Sequence, residues 1–142
     1  MKNAFVCLLL LVFVSCKKTF TSTDLALLNG NWEIEKVEMP NGKISEYGIN
    51  PSGESISFAN GKGTKTKIML QLVGPSKPTD MVTQFVVLDS NNVTYIKSRL
   101  AQSQWIEELT ELTSEKLVVK NQQNIIYQYK RIIEESNNGK TK

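Results

Sequence analysis

From Asn31 to Ile133 the chain repeats one texture: a short run rich in β-branched and aromatic residues, then a cluster of turn formers. Eight such runs can be read, at Asn31–Met39, Glu54–Phe58, Thr64–Val73, Met81–Asp89, Val93–Ser98, Gln104–Thr113, Lys116–Lys120 and Ile125–Ile133. Between them stand Asn41-Gly42, Asn60-Gly61, Gly74–Pro78, Ser90–Asn92, Thr113–Glu115 and Asn121–Asn124, residues that supply the φ values tight turns require. Short links force consecutive strands to run antiparallel. The constraint is therefore an all-β meander of hairpins, with one long exception at 40–53 that holds either an extra strand near Ile44–Tyr47 or an open loop.

Period-two alternation assigns faces to several runs, because one side of a strand is buried and the other wet. Ile68, Leu70 and Leu72 share a face, against Lys65, Lys67 and Gln71. Ile125, Tyr127, Tyr129, Arg131 and Ile133 share another, against Gln128 and Lys130. In the first run Trp32 and Ile34 are in phase but Val37 and Met39 are not, which predicts a bulge near Lys36. In the sixth, Trp105, Ile106, Leu109 and Leu112 also fit a helical spacing; the all-β surroundings favour a strand. Ahead of the first run, Thr23 or Asp24 is placed to cap a helical turn carrying Leu25, Leu27 and Leu28, stopped by Asn29-Gly30.

The front of the chain has a different character. Lys2 is followed by an apolar run from Ala4 to Val14, the length of a secretion-signal core and short of the roughly 20 residues a membrane-spanning helix needs. Phe13-Val14-Ser15-Cys16 resembles the lipobox of bacterial lipoproteins. The resemblance implies cleavage before Cys16 and a diacylglycerol thioether on its sulfur. Residues 1–15 are then a signal peptide, 16–24 the lipidated cysteine and a tether, 25–133 the folded domain and 134–142 a disordered tail. Cys7 leaves with the signal, so the mature 127 residues (142 − 15) have no free thiol and fold without a disulfide.

The sequence Gly30-Asn31-Trp32, directly after the helical turn, resembles the N-terminal signature of lipocalins, and Arg131 in Tyr127-Gln-Tyr129-Lys-Arg131 matches the basic residue that family packs on the tryptophan. The later run from Leu109 to Arg131 resembles the lipocalin-like domains carried by bacterial lipoproteins. Over Leu25 to Ile133, the resemblance implies a small eight-stranded antiparallel up-and-down barrel with a short N-terminal helical turn, closed by the pair Trp32 and Arg131.

Composition removes much chemistry. There is no histidine, which excludes His-based triads and His metal sites. The glycines at Gly61–Thr64 lack the spacing of a phosphate loop. Glu33, Glu35, Glu107, Glu108 and Glu111, and Lys62, Lys65 and Lys67, read as solvated strand faces. With 17 basic against 14 acidic residues and no clustered basic face, nucleic acid is not an expected partner. No enzyme activity, metal or other cofactor is expected.

Two functions remain open. One is a binding module that takes a small hydrophobic ligand against Ile34, Phe58, Ile68, Leu70, Phe85, Val87, Tyr95, Trp105, Tyr127 and Tyr129. The other is a non-catalytic accessory subunit of an envelope protein complex, its barrel core filled. In either case the lipid at Cys16 anchors the chain to a bacterial membrane, and the lack of an acidic run after the cysteine points to the outer membrane facing the periplasm.

Overall fold

The computed structural model describes residues 19–134. The signal peptide, Cys16 with its lipidation motif, and residues 135–142 of the tail lie outside the described residues.

The chain enters through a capped turn. Thr21 precedes α1 (Ser22–Leu25): its hydroxyl accepts from the Asp24 amide at 3.2 Å, and the Asp24 carboxylate accepts from the Thr21 amide at 2.9 Å. The cap is thus earlier than Thr23, because a capping box places its acid three residues past the cap. A 3-10 turn (Ala26–Leu28) follows, then nine strands: β1 (Gly30–Glu38), β2 (Ile44–Glu46), β3 (Ser52–Ala59), β4 (Lys62–Met69), β5 (Lys77–Ser90), β6 (Val93–Leu100), β7 (Ser103–Leu112), β8 (Lys116–Asn121) and β9 (Ile126–Arg131).

Strands β3 to β9 pair antiparallel in chain order, and β1 pairs with both β3 and β9. The sheet therefore closes into an eight-stranded antiparallel up-and-down barrel, with no free edge along its wall. The ninth strand is β2, three residues laid beside the end of β1 (Lys36↔Glu46, Glu38↔Ile44). It settles the long exception at 40–53 as a short strand within a loop. The β3–β4 and β5–β6 hairpins turn on Asn60-Gly61 and Asn91-Asn92, at φ values of 52° and 78° and of 51° and 59°. Both turns have the twist that suits a right-twisted sheet. Residues 103–112 are strand throughout, and the expected bulge falls between Ile34 and Lys36.

Connectivity gives the barrel two unlike ends. At one, the 3-10 turn contributes Leu28 to a contiguous apolar core with Trp32, Ile56, Phe85, Ile96, Leu109, Leu112, Leu117 and Val119. Phe20, Leu25 and Leu27 cover it from the helical turn, and Phe58 and Phe85 stack within it at 5.8 Å. This half is filled. Each fully buried aliphatic side chain there is worth about 1.5–3 kcal/mol. At the other end the barrel opens into a cavity.

The register corrects three of the residues expected inside. Ile68 pairs with Gly53, one position out of phase with the inward Glu54, so it faces outward and is buried on the outer wall near Ile132. Leu70 lies past the end of β4, beside Leu72 and Ile132 on the same outer wall. Tyr95 pairs with Leu88 and Glu108 on the outer face, while Thr94 and Ile96 turn in. For β4 the cause is a phase inversion. Lys65 and Lys67, opposite Ile56 and Glu54, take the inner face, and a one-residue shift in phase exchanges every side chain on a strand.

Candidate functional site

The mouth of the barrel holds a cavity of about 390 Å³. Its floor and one wall are Trp32 and Ile34 from β1; Glu54 on β3 and Lys65 and Lys67 on β4 form a second; Met81 and Thr83 on β5 a third; Tyr127 and Tyr129 on β9 complete the ring. Alternation brings these together. Trp32↔Glu54 and Glu54↔Lys67 are direct cross-strand partners, as are Lys65↔Thr83 and Ile34↔Tyr129.

Glu107 on β7 joins the charged layer from across the barrel. Its side chain is 11% exposed and meets the 13%-exposed Lys65 ammonium at 3.5 Å. The same ammonium lies 5.7 Å from the centre of the Phe85 ring. Lys65 thus sits at the boundary between the filled apolar half and the polar mouth, neutralising one carboxylate and packing on an aromatic face. The expectation that Glu107 and Lys65 belong to solvated faces is corrected here; Lys67 takes the inner face but stays exposed at the mouth. Glu33, Glu108 and Glu111 do lie outside, paired with Lys130, Lys120 and Lys116.

Four further polar groups of the cavity are open to solvent through the mouth. Among the described residues the Glu54 carboxylate, the Lys67 ammonium and the hydroxyls of Tyr127 and Tyr129 make no hydrogen bond, and neither Glu54 nor Lys67 has an ion pair. Burial pushes the Glu54 carboxyl above its ordinary pKa; Lys65 opposes the rise and Glu107 adds to it. Burial also raises Tyr129 well above the usual phenol value, with Glu54 and Glu107 reinforcing it, so the phenol stays neutral and remains both donor and acceptor. Four polar groups that make no hydrogen bond within the described residues converge on a concave site with an indole and two aliphatic side chains. Such a surface can hold a small molecule with an apolar body and a polar head.

Of the residues read from sequence as ligand-lining, Ile34, Tyr127 and Tyr129 line this cavity. Phe58, Phe85 and Val87 belong to the filled half. Trp105 lies with Tyr127 and Glu107 around a smaller depression of about 320 Å³ beside the mouth. Sequence reasoning missed Glu54, Lys65, Lys67, Met81 and Thr83. A signal existed for the first: Glu54, Ile56 and Phe58 alternate in phase, which places a carboxylate on the same face as two core residues.

Beneath the site, the Arg131 guanidinium lies 4.2 Å from the centre of the Trp32 ring, and the two residues are direct partners across β1 and β9. Arg131 donates to the carbonyls of Leu27 at 2.6 Å and Asn29 at 2.7 Å, and to that of Ser114. The buried Trp32 donates its indole N–H to the Leu28 carbonyl at 2.9 Å. Gly30 makes room for this arrangement: it sits at φ 133°, and a Cβ there would stand 2.1 Å from an Arg131 nitrogen.

No family model matches the chain, and no curated protein does. Two solved structures resemble it. One is a lipocalin-like protein from Bacteroides uniformis, at 10% identity and TM-score 0.47, over 75% of this chain and 99% of that one. The other is an uncharacterized protein from Bacteroides eggerthii, at 11% identity and TM-score 0.47, over 74% of this chain and 99% of that one. The architecture described above rests on the closure of β1 against β9.

Proposed function

We propose that the chain is a non-catalytic envelope lipoprotein, anchored through lipid on Cys16, whose barrel binds a small amphiphile in its open mouth. The observation that carries this reading is the unpaired Glu54 carboxylate in the cavity, facing Lys67 and the hydroxyls of Tyr127 and Tyr129 above an apolar floor. Partial burial weakens the solvation of this carboxylate, and a ligand that donates to it offsets part of that cost. Only half the barrel is vacant. The ligand is therefore short, with its apolar part against Trp32, Ile34 and Met81 and its polar head in the charged layer. This refines a purely hydrophobic ligand into one carrying a hydrogen-bonding group.

One observation favours an accessory role beside it. Ile44, Tyr47 and Ile49, in the loop that carries β2 at the mouth, are 50%, 42% and 89% exposed. Apolar residues grouped at a rim are suited to contact with another protein of the envelope.

Native mass spectrometry of the full chain extracted from its own membrane tests these readings together. The expected spectrum shows a diacylglyceryl adduct at Cys16 and a co-released small molecule, absent when Thr83→Trp fills the cavity. A chain that retains its thiol overturns the anchor. A ligand-free barrel in both proteins overturns the binding reading, and a bound second polypeptide without small molecule replaces it with the accessory role.

A further inference from the structure

We propose a second binding site, on the outer wall of the barrel, for a phosphate-bearing anion. A concavity of about 760 Å³ runs across β3 to β7 on the solvent side. Three cations line it, Lys62, Lys97 and Arg99, and no carboxylate does.

The register fixes their spacing. Lys62 and Lys97 lie on the strands flanking Val86 and both pair with it, which sets them about 10 Å apart, two inter-strand steps. Arg99 follows Lys97 by two residues on the same face of β6, about 7 Å further along. Pairing of Gln84 with both Thr64 and Arg99, and of Arg99 with Gln104, sets hydroxyl and amide donors around the cations.

These cations differ from four of the barrel's other strand lysines. Lys65, Lys116, Lys120 and Lys130 each have a glutamate partner. Among the described residues Lys62, Lys97 and Arg99 have no ion pair, and Arg99 spends only its Nε, on the Ala101 carbonyl at 3.2 Å. Both terminal guanidinium nitrogens remain for a two-pronged contact with an oxyanion, while the lysines act as point charges. Below the concavity the Ser98 hydroxyl is buried and has no hydrogen-bond partner. Three like charges held on rigid strands with polar donors between them match a ligand with several charged oxygens. This site is separate from the mouth and does not depend on the ligand bound there.

Isothermal titration calorimetry of the full chain in non-ionic detergent micelles tests the proposal, with inorganic pyrophosphate as one probe and phosphatidylglycerol doped into the micelles as the other. Phosphatidylcholine is the control. The expected result is saturable binding of at least one anionic probe. It weakens with added salt and falls at least tenfold in Lys97→Gln/Arg99→Gln, while Lys67→Gln leaves it unchanged. Pyrophosphate binding identifies a soluble phosphate ester as the ligand class; binding of phosphatidylglycerol alone identifies a lipid headgroup. Absence of binding in both arms overturns the proposal. So does binding that survives the double substitution, or that disappears with Lys67→Gln and so belongs to the mouth. Lys62→Gln, in the same groove but on another strand, gives the same reading should the double variant not fold.

Discussion

Trp32 and Arg131, almost a hundred residues apart, form one unit: the guanidinium covers the indole at 4.2 Å while its nitrogens hold the carbonyls of Leu27, Asn29 and Ser114. The indole N–H in turn holds Leu28. One arginine thus joins the first strand, the last strand, the 3-10 turn and the β7–β8 hairpin. The stack alone is worth about 0.5–2 kcal/mol, and charge-assisted hydrogen bonds add about 1.5–3 kcal/mol each before the cost of ordering the side chain.

Arg131→Lys therefore destabilises the barrel by about 2–4 kcal/mol, since an ammonium cannot stack as a plane or reach three carbonyls at once. Gly30→Ala destabilises similarly by another route, through a left-handed φ and a Cβ in the guanidinium's place. If one contact underlies both losses, the double variant falls short of their sum. Urea unfolding of the four proteins measures this coupling; strict additivity would show that the two residues act independently.

Among the described residues Lys65 is the only cation paired with Glu107, and both are nearly buried. Lys65→Met leaves Glu107 beside Glu54 with no ion-paired counter-charge, and we expect a loss of about 3 kcal/mol at neutral pH. The loss shrinks in Lys65→Met/Glu107→Leu, where the stranded charge is gone. Lys67→Met, at an exposed and unpaired position, changes stability little. Thermal unfolding ranks the three.

Glu54 gives the pH dependence an unusual sign. Burial raises its folded pKa above the ordinary carboxylate value, so within the window between the two the native state binds more protons than the unfolded chain. Its contribution to stability falls as pH rises through that window, and recovers as pH drops below it. Glu54→Gln is accordingly more stable than the parent at neutral pH, and the advantage disappears below the ordinary carboxylate pKa. Unfolding free energies of both proteins across that range check the sign; an advantage that grows on acidification contradicts it.

The architecture was legible because it depends on punctuation. Asn-Gly pairs and short links leave few alternatives to a meander, and the broken phase of Trp32, Ile34 and Val37 located the bulge. The site was less legible because it depends on phase. In β4 the apolar residues Ile68 and Leu70 suggest the inner face, yet the barrel puts Lys65 and Lys67 there. Sequence alternation cannot distinguish a lysine facing water from one facing Glu107 across the lumen. Nor can it show that Ile68 is buried on the outer wall, where its strand partner Gly53 meets Ile132 from a distant part of the chain. Charged interiors and covered exteriors are tertiary facts, and the mouth of this barrel is built from both.

Gly63 tests how tightly the filled half is packed. It lies inward on β4 opposite Phe58, and a Cβ there would stand 2.4 Å from the Phe85 ring and 2.5 Å from the Ser57 carbonyl. The ring could turn away only by giving up its stack on Phe58 and its contact with Lys65; the carbonyl is fixed in the β3–β4 ladder. Gly63→Ala thus overpacks a site without slack and costs about 1–3 kcal/mol. Gly42, in the loop before β2, has open space around it but sits at φ 82°, so Gly42→Ala costs only the backbone penalty of about 1 kcal/mol. A larger loss of melting temperature for Gly63→Ala than for Gly42→Ala, accompanied by a changed near-ultraviolet aromatic signal, is the expected outcome. Equal losses would mean that the Phe58–Phe85 stack yields easily and that the closed half of the barrel has room to spare.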